Sequence, residues 1–453
     1  MKKIFLFMAL FYCGLASASD GNVKKTTVDG LEWTYTILSE ADKTCCVGGV
    51  EVDSKGDTYG IPAIDENTTG AISIPSNLDG YAVIGIAEEA FSENNISSAV
   101  IPSGITRIDE EAFFGCKNLS SVTLPEGLTF IGDEVFSECP ISAIVLPESL
   151  VRIGEQAFEH TNLISIFLPK NVAFLGNEDR YNEDGELEAE ENDLYGDIFN
   201  GCELLTEVKV DEANETYADV DGILVTKDKK TLLYFPLAKT DAVIPEGIEV
   251  IRDWSFENSE LTSISLPSTL TFIGEYAFFG SALTSIAIGI QQSSAANSNA
   301  QRRAPYSQPS ITIGIYAFAF CNDLKTVVLG DNISEIQISA FTGCRSLTDV
   351  YTYSETPQTI DQGTFVMDYD WENNSPVCTA TLHVLPGCKA SYEVADGWNI
   401  FNEIVEDCQM TGISTTSATA SDDDNPYYDL IGREVMPKSP GIYVKNGRKI
   451  IVK

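Results

Sequence analysis

The chain has 453 residues, with 68 acidic against 28 basic side chains and a formal charge of −40. That balance excludes nucleic acid as a partner, since phosphate binding needs clustered Lys and Arg. The acidic surface reads as solvated and self-repelling, with attraction for calcium as the sharper alternative.

Residues 1–18 have the layout of an export signal: Lys2 and Lys3, an apolar run from Ile4, and Ala16, Ser17 and Ala18 at the cleavage position. The mature chain is expected to begin near Ser19. A lipoprotein reading would use Cys13, but Phe11 and Tyr12 are too bulky for that cleavage. No other apolar run approaches the length of about 20 residues that spans a membrane.

After an irregular opening, one block returns every 22 or 23 residues, typified by Leu119 to Cys139. Its proline recurs at Pro75, Pro102, Pro125, Pro147, Pro169, Pro245 and Pro267. Its phenylalanine recurs at Phe91, Phe113, Phe136, Phe158, Phe199, Phe256, Phe278, Phe318 and Phe341. A period of this length marks a solenoid whose coils cannot stand alone and bury a continuous core only by stacking. Leu119, Val122 and Leu124 form the strand, Thr123 faces outward, and Pro125 ends it for want of a backbone donor. The return leg from Ile131 to Cys139 is too short for more than a helical turn, and its glycine permits a bend. The predicted fold is a mostly β leucine-rich-repeat solenoid with little helix, capped at both ends.

These blocks, with Ile-Pro, Ile-Gly, Ala-Phe and Cys at fixed offsets, resemble the BspA-like leucine-rich repeats of bacterial surface proteins. The resemblance runs from about Ile72 to Asp407 and places the solenoid at 71–408. Gly127 stands where better-known leucine-rich repeats have asparagine, so a spine of other construction is expected. The resemblance implies that residues 19–70 form a first coil that caps the stack. It also implies that the segment from Cys378, with Tyr392 and Trp398 on a short helix after a strand, plugs the other end.

Insertions interrupt the array near 177–197, 211–243 and 290–310. The first has ten acidic residues among 21 and is expected to be a solvated loop. Asn182, Asp184, Gly185 and Glu191 suit a calcium loop, but Arg180 occupies the position that needs a carboxylate. The second resembles a hairpin, with Ile223 and Val225, then Leu232, Leu233 and Tyr234, around a Lys-Asp-Lys-Lys turn. The third is polar low-complexity sequence, with Arg302 and Arg303 as a cleavage site.

Cys116, Cys139, Cys202, Cys321 and Cys344 share one slot that elsewhere holds Thr161, Ser259 and Ser281, which favours buried free thiols over disulfides. Cys45 and Cys46 are ill placed to bond to each other, whereas a bridge among Cys378, Cys388 and Cys408 is open. Residues 409–425 read as a linker. The tail at 426–453 is basic, with six basic against two acidic residues from Tyr427. Tyr428, Asp429, Leu430, Gly432, Arg433, Val435, Pro440 to Val444 and Lys453 resemble a shortened type IX secretion sorting signal. The competing reading is a small hairpin of Arg433–Val435 against Ile442–Val444.

His160 and His383 are the only histidines, so no His-based triad or multi-histidine metal site can be assembled. No catalytic residue, metal or cofactor is assigned. Carboxylate pairs at glycosidase spacing arise by chance among so many acids. The outward strand position on the concave sheet is the better candidate for binding: Val100, Val145, Phe167, Val328 and Tyr351 stand out among Thr123, Lys209, Ser265 and Ala287. Exposed apolar residues there mark a partner site, although β-branched and aromatic residues also stabilise neighbouring strands. The expectation is an exported monomer, extracellular or on the outer surface of a Gram-negative bacterium, that binds protein or glycan. Adhesion to host protein or other cells leads. A glycan-binding uptake component and a polysaccharide-degrading β-solenoid enzyme follow.

Overall fold

Alternation along each repeat puts one face of a short strand into the core, and the period lays equivalent strands side by side. The computed structural model describes residues 22–52, 58–176, 198–239, 243–290, 309–370, 375–408, 427–428, 434–435, 441–445 and 448–452. The residues read as an export signal, the acidic insertion with Asn182, Asp184, Gly185 and Glu191, most of the third insertion and the segment read as a linker lie outside them. Two units are formed, one from Met1–Lys227 and Pro236–Ala238, the other from Asp228–Phe235 and Lys239–Lys453.

In the first unit the outer strands Gly70–Ser73, Ile96–Val100 and Ser121–Thr123 pair in parallel, with Ser73, Val100 and Thr123 in register. Ser165–Leu168 and Glu207–Val210 pair likewise. A second parallel ladder runs through Tyr81–Ile86, Arg107–Ile108, Phe130–Ile131, Arg152–Ile153 and Phe174–Leu175. Ile86, Ile108, Ile131, Ile153 and Leu175 point it into the core.

The return leg contains no helix. Two left-handed residues flank each core phenylalanine: Glu89 and Glu93 about Phe91, Glu111 and Gly115 about Phe113, Glu134 and Glu138 about Phe136. This alternation turns every second N–H toward the following coil. Glu111, Phe113 and Gly115 donate to the carbonyls of Asp133, Val135 and Ser137 at 2.9–3.0 Å. Bonds from coil to coil therefore replace bonds within a helix. The glycine is needed for close approach: at Gly132 a Cβ would lie 2.7 Å from the Glu110 nitrogen and 2.9 Å from the Asp109 carbonyl carbon.

The spine is aromatic. Phe91, Phe113, Phe136, Phe158 and Phe199 stack with centroids 4.9, 5.6, 5.7 and 6.1 Å apart, and each is buried. Trp33, on the antiparallel Leu31–Ser39 strand, covers the first ring edge-on at 6.3 Å. The cysteine slot serves the same spine. The Cys116, Cys139 and Cys202 thiols donate to the carbonyls of Phe91, Phe113 and Phe158 at 3.0–3.1 Å, and Thr161 donates its hydroxyl to Phe158 at 2.9 Å. All ten cysteines from Cys45 to Cys408 are free thiols in this structure. Cys139→Ser keeps the donor, so its denaturant midpoint is expected to correspond to a change within about 1 kcal/mol. A larger loss in equilibrium unfolding would show that sulfur volume, rather than the donor, defines the slot.

The second unit repeats the plan. Thr231–Tyr234, Val250–Ile251, Phe272–Ile273, Ile311–Ile313 and Ile333–Ile336 form one parallel ladder. Ser285–Ile288, Thr326–Leu329, Asp349–Thr352, Thr381–His383 and Glu403–Val405 form the other. Phe256, Phe278, Phe318, Phe341 and Phe365 stack at 4.5–5.2 Å. Trp398 and Phe401 pack on the last ring, and the Trp398 indole donates to the Gln358 carbonyl at 2.8 Å. Lys389–Tyr392 is the only α-helix among the described residues.

Two local pairings differ from expectation. In the second insertion Ile223–Thr226 and Thr231–Tyr234 are strands, and an unforeseen strand, Tyr217–Val220, pairs antiparallel with the former. In the tail, Gly441–Lys445 pairs with Arg448–Val452, and Glu434–Val435 with Tyr427–Tyr428, rather than with each other. Asn446-Gly447 between the last two strands is a strong hairpin sequence, which explains the preference.

Candidate functional site

In the first unit the outward positions are open. Val100 is 47% exposed, Val145 84% and Phe167 49%, and Thr123 between them is also exposed. Ile164, which precedes the Ser165–Leu168 strand, adds a further exposed apolar side chain. The row ends in charge: Lys209, opposite Phe167 in register, pairs with Asp219 at 3.2 Å and Glu207 at 3.6 Å. The first unit thus presents apolar outward residues on three of four consecutive coils, with Thr123 on the other, beside an ion-paired lysine.

Val328 and Tyr351 are corrected. Both are buried, at 0% and 4% exposure, in a cluster with Leu385 and Cys408, against which Ala287, Ile290, Tyr353 and Cys388 pack. The closing segment covers these outward positions with its own apolar residues. The repeat period could not show this, because Leu385 and Cys408 belong to no repeat slot.

That segment also assembles a group the sequence reading missed. His383 Nδ1 lies 2.8 Å from Asp407 Oδ1, its Nε2 lies 3.0 Å from Asp349 Oδ1, and its ring stacks on Tyr351 at 4.1 Å. The available signal was register, since Tyr351, His383 and Val405 are direct neighbours on adjacent strands.

Beside the left-handed turns of the first unit runs a carboxylate column that includes Glu88, Glu110, Asp133 and Glu155, with Glu89, Glu111 and Glu134 alongside. Burial first, and then the charges of Asp133, Glu88, Glu111 and Glu134, push Glu110 up to about 7. Burial and neighbouring carboxylates likewise raise Glu88, Glu111 and Glu134. With its pKa raised above the ordinary 4.5, Glu110 binds more proton in the folded state, so stability falls as pH rises from about 4.5 to 7. Glu110→Gln is therefore expected to stabilise the protein above about pH 7 and to match the unsubstituted chain below about pH 4.5. Thermal unfolding of both at each pH checks this, and a constant offset would refute the assignment. The glutamate is substantially exposed, so screening keeps the stability difference small. In the second unit the positions equivalent to Glu89, Glu111 and Glu134 are Trp254, Tyr276 and Tyr316, stacked at 4.1 and 5.1 Å.

Among the described residues no group of three or more His, Cys, Asp or Glu could hold a metal ion. No helix there is long and apolar enough to cross a membrane.

The model of the BspA type leucine rich repeat region matches six copies, over residues 84–188, 235–301 and 304–375, more than half of the chain. The chain belongs to the BspA-type leucine-rich-repeat family. Among solved structures, the pneumococcal vaccine antigen PcpA is similar at 20% identity, covering 85% of this chain and 98% of that one, with a TM-score of 0.53. A leucine rich cell surface protein from Faecalibacterium prausnitzii is 19% identical over 85% and 96% of the two chains, with a TM-score of 0.45. A leucine-rich repeat protein from Bacteroides ovatus is 19% identical over 84% and 100%, with a TM-score of 0.41. No curated protein sequence matches. PcpA shares the fold, and its likeness carries no more than that. Within the BspA-type frame the repeated residues are explained by the spine and its hydrogen bonds, which leaves the outward positions as the variable surface.

Proposed function

We propose that this BspA-type protein is exported and displayed outside a Gram-negative cell, where it binds a protein partner through the outer strands of its first unit. The observation that carries this reading is the exposure of Val100, Val145 and Phe167 at one repeat position. Apolar and aromatic side chains held in water, Val100 and Phe167 on outer strands and Val145 on the strandless segment between them, are the kind that anchor a protein interface. The partner is a host surface protein or another cell, and the role is adhesion rather than catalysis.

The test is a double substitution, Phe167→Ala with Val145→Ser. Folding should be unaffected, because both side chains are exposed. Affinity for a partner captured by the unsubstituted ectodomain should fall about tenfold or more, equivalent to about 1.4 kcal/mol. Unchanged affinity would move the site elsewhere. Saturable binding on a polysaccharide array, in place of protein capture, would favour a glycan-uptake component; release of reducing ends by purified protein would establish an enzyme.

Export through the tail is a separate part of the proposal. The last 27 residues, fused to a periplasmic reporter, should carry it to the outside through type IX secretion. A reporter that stays periplasmic would remove the sorting role.

A further inference from the structure

The left-handed turn position that holds Glu89, Glu111, Glu134 and Gln156 in the first unit is aromatic in the second. Trp254, Tyr276 and Tyr316 stack there with planes 2° and 18° apart. Phe279 tilts by 56° against both Trp254 and Tyr276, and meets Phe320 edge-on at 5.3 Å. The Phe320 ring lies over Gly343, where a Cβ would come within 2.6 Å of it. These rings stand apart from the phenylalanine spine, and the turn does not require them, since glutamate and glutamine adopt the same backbone in the first unit. Trp254 stays 36% exposed, Phe320 43%, and Ile338 on the following turn 56%. Stacking steadies neighbouring turns, yet it leaves this aromatic ridge facing water along four consecutive coils.

Charge decides what the ridge fits. The turns at 254–258, 276–280, 316–320 and 338–342 contain no lysine, arginine or histidine, whereas Asp253, Glu257 and Glu275 border the first two. Arg252, which precedes the first turn, is buried. Asp253 accepts from the Glu275 N–H at 2.7 Å, and Glu257 from the Asn258 amide at 3.3 Å, so both carboxylates are held in place. Burial first, then Tyr316 and the charge of Glu275, hold the Tyr276 phenol above its ordinary value, which sets the Glu275 carboxylate against the ridge. An aromatic surface bordered by carboxylates attracts a guanidinium twice, through the ring π-systems and through ion pairing. A second copy of this chain, at a charge of −40, would be repelled.

We propose that this ridge is a second docking surface, which takes an extended, arginine-bearing segment of a protein partner. The row advances by 4.1 and 5.1 Å from ring to ring, so it offers repeated contacts to a chain laid along it rather than one pocket for a small molecule. Aliphatic and proline side chains of the segment rest on the rings, and its guanidinium groups reach the bordering carboxylates. The surface belongs to the second unit alone and stands whether or not the first unit binds through Val145 and Phe167.

Fluorescence anisotropy on the full chain tests this with a labelled peptide of arginine-proline-leucine triplets, whose three-residue polyproline period lines arginine along one face. The peptide should bind saturably, and more weakly as salt is raised. The same peptide with glutamate in place of arginine should not bind. Trp254→Gln with Tyr316→Gln keeps the charge of the surface and uses the residue that Gln156 shows to fit this turn; affinity should fall about tenfold or more. Should that variant fold poorly by circular dichroism, Phe320→Ser with Ile338→Ser, at the exposed edge of the ridge, is expected to give the same loss. Phe167→Ala with Val145→Ser should leave peptide affinity unchanged, which separates this surface from that of the first unit. Equal binding of the glutamate peptide, full affinity in the ridge variants, or loss of affinity in the first-unit variant would each overturn the proposal. Displacement of the arginine peptide by a neutral cello-oligosaccharide would overturn it too, and would make the ridge a glycan platform.

Discussion

Phe136→Ala is expected to lower stability by about 3–5 kcal/mol, the range for deleting a fully buried aromatic ring. Phe136 has no exposed surface and stacks on both sides, with Phe113 at 5.6 Å and Phe158 at 5.7 Å. The substitution therefore leaves a cavity and removes two ring contacts, each worth about 0.5–1.5 kcal/mol beyond the buried area. Neighbouring coils cannot close the gap, because their N–H groups fix the spacing of the turns: Phe113 donates to Val135 and Phe136 to Ala157. In a stack held by nearest-neighbour interfaces, a weak coil uncouples those on either side. Denaturant unfolding followed by first-unit probes should show a lower midpoint, a broader transition, or both. Phe167→Ala, exposed on the outer strand, is the control and should stay within about 0.5 kcal/mol. Equal effects would mean that the ring ladder adds nothing to ordinary strand packing.

The second large effect is expected at Gly132. A methyl group there would meet the backbone of the preceding coil at 2.7 and 2.9 Å, and backbone cannot rotate aside as a side chain can. The coils must separate, which strains the bond from the Gly132 N–H to the Ile108 carbonyl, now 2.9 Å. Gly132→Ala should cost about 3 kcal/mol, the upper end for overpacking. Gly127→Ala separates space from conformation. Gly127 has φ +105° and nothing within 4 Å of its missing Cβ, so only backbone strain remains, about 1 kcal/mol. Matching losses in equilibrium unfolding would place the cost in the dihedral angle and remove the close-approach argument.

The fold was legible because its cause is periodic. Pro125, Leu124 and Phe136 recur with their repeats, and any stack built on that period buries the same faces. The return leg is too short for a helix, as its length implies, but its path was not legible: Glu111 and Glu134 adopt left-handed backbone, which composition does not announce for a glutamate. The glycine was misread as a bend because a sequence shows no neighbouring coil. Three of the five candidate surface residues, Val100, Val145 and Phe167, are exposed as the pattern implied. Val328 and Tyr351 obey the same pattern, yet the closing segment, which has no repeat of its own, covers them. The surroundings of His383 were not legible, since Asp349 and Asp407 become its neighbours only through strand register.

The coil-to-coil bonds about the core phenylalanines point one way: N–H groups of each turn give to carbonyls of the next, as Trp254 to Glu275, Tyr276 to Ile315 and Tyr316 to Ile338. Peptide dipoles in such a row add head to tail, as they do in a helix. That row of turns is therefore electrically polar along its length, with surplus carbonyls at its first turn and surplus N–H groups at its last, whereas bonds such as that from the Gly274 N–H to the Ile251 carbonyl run the other way. In the second unit the Met367 N–H is taken up by the Val377 carbonyl at 2.9 Å, from the antiparallel Asp368–Asp370 and Ser375–Val377 pair. Caps of this kind quench a dipole as well as cover a core. A stack cut between coils would expose two faces of opposite polarity, each the natural acceptor of the other.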